Sequence, residues 1–206
     1  MEAKRTVGDY SVINSMYIGH RDIVLCENTA AKKGEKYLCC YVENVAVFER
    51  YLEALVSDDF AEIVKVFGER VSEAAAEIIK ETEQANKEIG SNEEITAKKC
   101  KAISYDDSIK DKVVVIDGSH LRPEFRHASR QLMLCTGGFG SDPHSRGRTC
   151  FCTCLYDGRQ TSYYRSDILG IIEPEDLPEW AQKGLQEARE KYEQEKAPSK
   201  ERGETR

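Results

Sequence analysis

Apolar and polar positions alternate over the first 45 residues in a way that is typical of short antiparallel strands. The apolar segments are separated by Gly19-His20 and by the mostly polar residues 31–35, which favour turns. A three-stranded meander is the simplest arrangement of such segments. The predicted strands are Tyr10–Ile18, Ile23–Cys26 and Tyr37–Val42.

Helical spacing of apolar residues begins at Val47 and predicts two consecutive helices. The first helix is predicted from the spacing of Phe48, Tyr51, Leu52, Leu55 and Val56. The polar residues 57–59 interrupt it, and Asp59 followed by Glu62 resembles a capping box that starts a second helix. The second apolar stripe continues to Ile79, so we expect the longer helix to cover a sheet or another helix.

Short apolar runs in the second half of the chain predict four further strands and a terminal helix. Asp157-Gly158 is predicted to close a tight hairpin, because Gly readily adopts the positive φ that a type I′ turn requires. Pro174 opens the segment of the terminal helix, which leads into a charged tail from about Lys196. The predicted strands are Val113–Ile116, Gln131–Thr136, Thr149–Tyr156 and Thr161–Arg165.

These elements predict an α+β protein. A small N-terminal antiparallel sheet with long helices is followed by a C-terminal antiparallel sheet with a terminal helix. The apolar residues thin out after Asn86, which places a solvated connection between the two halves. The predicted divisions are 1–96 for the N-terminal strands and acidic helices, 97–112 for the connection, 113–195 for the C-terminal sheet and helix, and 196–206 for a disordered tail.

Length and composition narrow the class of protein. A chain of 206 residues can bury a substantial core. No apolar run reaches the roughly 20 residues of a membrane span, and the first residues lead into no apolar signal segment. We therefore expect a cytoplasmic protein without a membrane partner, in which the eight cysteines are reduced thiols rather than a disulfide framework.

Charge is distributed unevenly along the chain, whose net charge is -7. Residues 49–96 hold 13 acidic and 5 basic residues, an array of carboxylates that can imitate phosphates to a nuclease; a solvated helix face explains the same pattern. Residues 113–172 contain no lysine but seven arginines, whose planar guanidinium groups favour fixed contacts with nucleic acid, an acidic protein or segment 49–96. The arginines are Arg122, Arg126, Arg130, Arg146, Arg148, Arg159 and Arg165.

The cysteines raise the question of a metal site. Cys150, Cys152 and Cys154 alternate along one predicted strand and should share one face. Same-face positions are about 6.6 Å apart, whereas two thiolates on one zinc ion lie within roughly 4 Å of each other. Cys39 and Cys40 should point to opposite faces. The sequence therefore predicts buried apolar thiols, no metal site and no cofactor.

A glycine- and arginine-rich loop between two predicted strands is the most unusual segment of the chain. Its glycines allow backbone N–H groups to approach an anion, and its two arginines can fork onto phosphate or carboxylate oxygens. The loop matches neither G-x-G-x-x-G nor the P-loop, and a structural loop whose arginines pair with the acidic segment is the alternative. The predicted partner-binding residues are Gly137, Gly138, Phe139, Gly140, His144, Arg146 and Arg148.

Three histidines are candidates for acid–base chemistry. His120, His127 and His144 lie in the same half of the chain as Asp117 and Glu124. A catalytic pair needs a nucleophile or a metal to serve, and no G-x-S-x-G, H-E-x-x-H or catalytic-cysteine setting accompanies them. We therefore predict no catalytic residues.

Several motifs of the C-terminal half are distinctive. They are residues 117–126, Gly137-Gly138-Phe139-Gly140, Arg146-Gly147-Arg148, Asp157-Gly158 and Asp167-Ile168-Leu169-Gly170. Over about residues 113–181, these motifs resemble those of uncharacterised accessory proteins carried by phages and conjugative elements of gut anaerobic bacteria. Small accessory proteins on such elements often counter host defences, as anti-CRISPR and antirestriction proteins do, so the resemblance implies an antidefence role.

The resemblance and the charge pattern together predict a non-enzymatic accessory protein of a mobile genetic element. It would inhibit a host defence nuclease, as anti-CRISPR proteins do, by binding and masking a functional surface of a host defence protein or ribonucleoprotein. The alternative is a nucleic-acid or nucleotide/phosphate-binding protein that uses the loop's arginines and backbone amides. Salt dependence distinguishes the two, because phosphate contacts weaken steeply with salt.

Overall fold

The computed structural model describes residues 5–45 and 48–196. Packing divides the chain into two compact units, unit 1 up to Gln84 and unit 2 from Ala85. The predicted domain boundaries stay predictions, because packing does not show which segments fold independently. Beyond Lys196, the predicted tail lies outside the described residues.

Ten strands and three α-helices are present in the described part of the chain. The strands are β1 (Thr6–Val7), β2 (Tyr10–Ile18), β3 (Arg21–Glu27), β4 (Tyr37–Val45), β5 (Phe48–Ser57), β6 (Val113–Ile116), β7 (Leu132–Gly137), β8 (Thr149–Cys154), β9 (Gln160–Tyr164) and β10 (Ile168–Ile172). The helices are α1 (Phe60–Ile89), α2 (Ala128–Gln131) and α3 (Glu179–Lys196).

The sheet of unit 1 is an antiparallel meander in which β1 to β5 follow one another in sequence order. The three strands predicted for this region are confirmed as β2, β3 and β4. The sheet is larger than predicted, because β1 and β5 form its two edges.

The predicted first helix, over residues 47–56, is wrong: residues 48–57 form β5. Leu52 and Leu55 both pair with residues of β4 that pack toward α1, although a spacing of three places two side chains on opposite faces of a regular strand. Between them the register shifts, and Glu53 has a φ of 50°. This bulge adds one residue to β5, so that apolar residues three positions apart lie on the same face of the sheet.

Helix α1 begins where the sequence predicts it. Asp59 Oδ1 accepts hydrogen bonds from the backbone amides of Ala61 at 2.8 Å and Glu62 at 3.4 Å. The Glu62 carboxylate accepts a hydrogen bond from the Ser57 hydroxyl at 2.6 Å. Part of the predicted stripe packs on one face of the unit 1 sheet, whereas Phe60, Val64 and Ile79 are exposed. The stripe residues in that core are Ile63, Phe67, Val71 and Ala74, and Val66, which the stripe did not include, joins them.

The sheet of unit 2 is antiparallel throughout and has the order β10-β6-β7-β8-β9. The four strands predicted here are confirmed as β6 to β9, with ends that differ by two residues at most. The fifth, β10, pairs with β6 at the edge and was not predicted.

The predicted hairpin joins β8 to β9, although its connection is longer than two residues. Gly158 has the predicted positive φ, 68°, but Asp157 does not have the positive φ that a type I′ turn also requires, so the predicted turn type is wrong. Its amide donates to the carbonyl of Cys154 at 3.0 Å, and the amide of Arg159 donates to Asp157 Oδ1 at 3.0 Å.

Both faces of the unit 2 sheet are covered. Helix α3 packs on one face through Ala181, Leu185 and Ala188. The other face is covered by chain outside the helices, including Ile103 and Ile109. Two antiparallel sheets with helices confirm the α+β class, and no helix among the described residues is long and apolar enough to cross a membrane.

Candidate functional site

The glycine- and arginine-rich loop connects β7 to β8 at one end of the unit 2 sheet. The structure places all seven predicted partner-binding residues on this one connection or at the end of β7. Gly140 and Ser141 are buried, whereas Phe139, Arg146 and Arg148 are exposed. The connection therefore has a buried base and an exposed rim. We call the whole connection the 137–148 loop.

Close backbone contacts hold the two sides of the 137–148 loop together. The Gly140 amide donates to the carbonyl of Thr149 at 2.8 Å, and the Ser141 hydroxyl donates to the carbonyl of Gly138 at 2.7 Å. A Cβ at Gly140 would overlap the carbonyl of Arg148, so only Gly permits this approach. The glycines thus fix the backbone here rather than loosening it.

Arg165 fixes the base of the same loop from outside. Its Nη1 donates to the carbonyl of Gly140 at 2.7 Å, and its Nη2 donates to the carbonyls of Ser104 at 2.8 Å and Asp107 at 2.7 Å. The planar guanidinium donates to these three carbonyls in a fixed fork geometry. The contacts of Arg165 are thus fixed, but they are to backbone carbonyls of unit 2 and not to any of the three partners that the arginine bias predicts.

Phe139 is the most exposed large apolar side chain among the described residues, with 80% of its surface accessible. The backbone of Gly147 packs against its base, because a Cβ at Gly147 would overlap the Phe139 Cβ. A fixed and exposed aromatic ring loses little conformational entropy when a partner covers it.

Arg146 and Arg148 lie exposed on the same loop. Within residues 5–45 and 48–196, neither guanidinium forms a salt bridge. Their positive charge faces solvent beside Phe139. Such a surface offers an apolar contact together with charged hydrogen-bond donors.

His144 anchors the loop instead of extending from it. Its amide donates to the carbonyl of Tyr105 at 3.1 Å, and its ring lies edge-on to the Tyr105 ring with centroids 5.4 Å apart. The Nδ1 atom lies 3.2 Å from Asp106 Oδ1. Both side chains are exposed, so this contact orients the His144 ring and contributes little to the free energy of unfolding.

The other two histidine candidates form no accessible catalytic arrangement. His127 Nδ1 lies 2.9 Å from the hydroxyl of Ser129, but Ser129 is only 1% exposed and no substrate can reach it. Burial and the charge of Arg130 lower the pKa of His127. His120 Nδ1 lies 3.5 Å from Asp167 Oδ1.

The cysteines occupy the positions that the strand alternation predicts. Cys150, Cys152 and Cys154 are buried in one core, on one face of the unit 2 sheet. Burial raises the pKa of Cys154 to about 11, so its thiol stays protonated at neutral pH. Among the described residues, no group of three or more His, Cys, Asp or Glu side chains is placed to hold a metal ion.

A second group of arginines was not recognised as a unit from the sequence. The guanidinium carbons of Arg122 and Arg130 lie 5.9 and 5.4 Å from the centre of the Phe125 ring. Arg130 and Arg159 both form salt bridges with Asp157. The bias for arginine over lysine was the available signal, but sequence spacing does not show which arginines meet.

Comparison with protein-family models, with curated proteins and with solved structures gives no match. The resemblance of residues 113–181 to accessory proteins of mobile elements therefore stays a prediction, and the function rests on the geometry of the chain itself.

Proposed function

We propose that this chain is a non-enzymatic binding protein that uses the 137–148 loop as its principal contact surface. The observation that carries the proposal is the exposure of Phe139 on a backbone immobilised by glycine contacts and by Arg165. Binding hot spots are enriched in aromatic residues and arginine, and this loop presents both.

The immobilised backbone supports binding rather than a merely structural role. Loop ordering normally costs about 1–2 kcal/mol per residue, and here the chain meets much of that cost within its own fold. An exposed Phe contributes nothing to the core, whereas its burial by a partner contributes about 1.5–3 kcal/mol. The arginines add direction through charged hydrogen bonds.

The proposed partner is a host defence protein or ribonucleoprotein, and the proposed outcome is inhibition of a nuclease of the CRISPR type by masking one of its functional surfaces. This part rests on the resemblance of the C-terminal half to proteins of phages and conjugative elements. The proposed location is the bacterial cytoplasm, where such nucleases act.

A second candidate is a nucleic-acid or phosphate-binding protein. The observation that favours it is the position of Arg146 and Arg148 beside the exposed ring of Phe139, because single strands are bound by stacking on aromatic rings and by contacts of cations with phosphates. Both candidates use the 137–148 loop, so only the identity of the partner distinguishes them.

The test compares two matched pairs of substitutions in the full chain. Phe139→Ala with Arg146→Ala changes the loop, and Phe48→Ala with Arg50→Ala removes an exposed aromatic ring and an exposed arginine from unit 1. Tagged protein captures partners from a lysate of a gut anaerobe, and the captured nuclease is then assayed for DNA cleavage. We expect the loop variant to weaken inhibition by about tenfold or more, since each charged hydrogen bond contributes about 1.5–3 kcal/mol.

The control variant should inhibit like the unchanged protein, and both variants should keep their melting temperatures. Equal inhibition by the loop variant would reject the 137–148 loop as the contact surface. Binding of a single-stranded oligonucleotide that weakens steeply between 50 and 200 mM salt, without inhibition of a nuclease, would favour the second candidate.

A further inference from the structure

Arg122 and Arg130 lie over the ring of Phe125 in unit 2, and Arg159 lines a pocket together with that ring, at the opposite end of the β7–β8 pair from the 137–148 loop. Met133 pairs with Cys154 at this end, whereas Gly137 pairs with Phe151 at the loop. The surface is therefore separate from the one proposed above. We call it the Phe125 surface, and its residues are Arg122, Phe125, Arg126, Arg130 and Arg159.

Fixed contacts hold these guanidinium groups in place. Asp157 forms salt bridges with Arg130 and with Arg159, the latter at 2.9 Å. The Nε of Arg126 donates to the carbonyl of Leu121 at 3.1 Å. A guanidinium offers five N–H donors, so an arginine held by one carboxylate can still donate to another.

The arginines border a small apolar pocket of about 110 Å³. Met133 and Cys154 are buried side chains of its lining. Thr161 and Tyr163 of β9 complete the lining together with Leu121, Phe125 and the two arginines that bind Asp157. The pocket thus combines a nonpolar interior with a cationic border.

The volume of the pocket limits what can enter it. Small-molecule sites usually enclose about 300–1,000 Å³, and an apolar cavity of about 150 Å³ holds one benzene ring. A space of about 110 Å³ therefore fits one aliphatic side chain, such as that of leucine, isoleucine or valine. It is too small for a cofactor.

The charge around the pocket selects what should flank that side chain. The Phe125 surface carries four arginines against the two carboxylates of Glu124 and Asp157, an excess of two positive charges. Carboxylates on both sides of an inserted aliphatic side chain would meet guanidinium groups that are already oriented.

We infer that the pocket at the Phe125 surface is a docking site for an acidic peptide segment of a protein partner, with one aliphatic side chain inserted and the neighbouring carboxylates bound by the arginines. A nucleobase fits this site less well, because the buried lining offers sulfur and carbon to ring atoms that require hydrogen bonds. The inference does not depend on the 137–148 loop.

The test follows the full-length, ¹⁵N-labelled protein by NMR during titration with acetyl-Glu-Glu-Leu-Glu-Glu-amide. We expect the amide signals of Phe125, Met133, Thr161 and Tyr163 to shift with saturation. The same peptide with Ala in place of Leu should bind at least about fivefold more weakly, because it buries about three fewer carbon atoms. The peptide with Lys in place of every Glu should produce no shifts at these residues.

A matched pair of substitutions on β9 locates the binding. Thr161 pairs with Cys152 and lines the pocket, whereas its neighbour Ser162 pairs with Phe151 on the opposite face of the sheet. Thr161→Phe should fill the pocket and weaken binding of the Leu peptide by about tenfold or more. Ser162→Phe should leave the affinity unchanged, and thermal melts verify that both variants fold.

Three results would overturn the inference. They are an absence of shifts at the pocket residues with the Leu peptide, equal affinities for the Leu and Ala peptides, and equal affinities of the Thr161→Phe and Ser162→Phe variants. Shifts at these residues with a decamer of uridine but not with the Leu peptide would assign the surface to nucleic acid instead. None of these outcomes bears on nuclease inhibition by the 137–148 loop.

Discussion

Units 1 and 2 expose their apolar side chains in different ways. In the described part of the chain, the exposed large apolar side chains of unit 1 include both aliphatic and aromatic ones, along β2, β5 and α1. Those of unit 2 are all aromatic. Among the described residues, the exposed large apolar side chains of unit 1 are Ile13, Met16, Tyr17, Phe48, Tyr51, Leu55, Val56, Phe60, Val64 and Ile79. Those of unit 2 are Tyr105, Phe139, Phe151 and Tyr164.

The difference shows why apolar exposure alone does not identify a binding site. In unit 1 the exposed apolar side chains are spread over β2, β5 and α1, and at the edge strand β5 the bulge at Glu53 bends the strand and opposes further sheet pairing. In unit 2 the most exposed ring, Phe139, stands on an immobilised backbone beside arginines. Selective binding is favoured by such fixed geometry, which is why the proposed contact surface lies in unit 2.

The largest expected effect concerns the packing of α3 in unit 2. A Cβ at Gly184 would overlap the backbone carbonyl of Leu155, which is not the flexible end of a side chain. Gly184→Ala should therefore destabilise the protein by about 3 kcal/mol through overpacking. Urea unfolding measures the change in the free energy of unfolding.

Gly68 of α1 is the matched glycine of unit 1. A Cβ there meets no atom within 4 Å, so Gly68→Ala should stabilise the protein by about 0.5–1 kcal/mol through its higher helix propensity. Equal effects of the two substitutions would contradict the difference in packing between the two helices.

A somewhat smaller effect is expected from Arg165, which ties three carbonyls at the base of the 137–148 loop. Arg165→Ala should lower the free energy of unfolding by about 2 kcal/mol, because charged hydrogen bonds contribute about 1.5–3 kcal/mol each and water replaces part of them. Hydrogen exchange should also accelerate at the amides of Gly140 and Ile109, which donate to Thr149 and Ser141.

Arg146→Ala serves as the control for this prediction, since it removes an exposed guanidinium from the same loop. Its free energy of unfolding should change by less than about 0.5 kcal/mol. An unchanged exchange rate in the Arg165→Ala variant would mean that the loop keeps its shape without this residue.

The smallest effect is expected at the β8–β9 turn. Gly158 has a φ of 68° and open space around its Cα, so the cost of a substitution comes from the backbone alone. Gly158→Val should cost about 1 kcal/mol or more, and Gly158→Asn should cost less because Asn tolerates the left-handed region. Thermal melts compare the two variants, and equal melting temperatures would refute this account of the turn.

The sequence predicted those elements whose formation depends on local chemistry. The Asp59 cap, the positive φ of Gly158 and the alternation of Cys150, Cys152 and Cys154 all follow from neighbouring residues. It failed for β5, because a bulge gives a strand the apolar spacing of a helix. Strand β10 was not predicted, because its apolar run is short and only its pairing with β6 identifies it as a strand.

The same distinction between local and long-range causes applies to the two candidate sites. The sequence by itself determined that a loop of glycines and arginines separates two strands and that arginine replaces lysine over residues 113–172. Only the tertiary structure decided that Arg165 holds the loop while Arg130 and Arg159 share Asp157 beside a pocket. The physical reason is distance in sequence: backbone conformation depends on neighbouring residues, whereas Asp157 is brought to Arg130 from 27 residues away and Gly140 to Arg165 from 25 residues away.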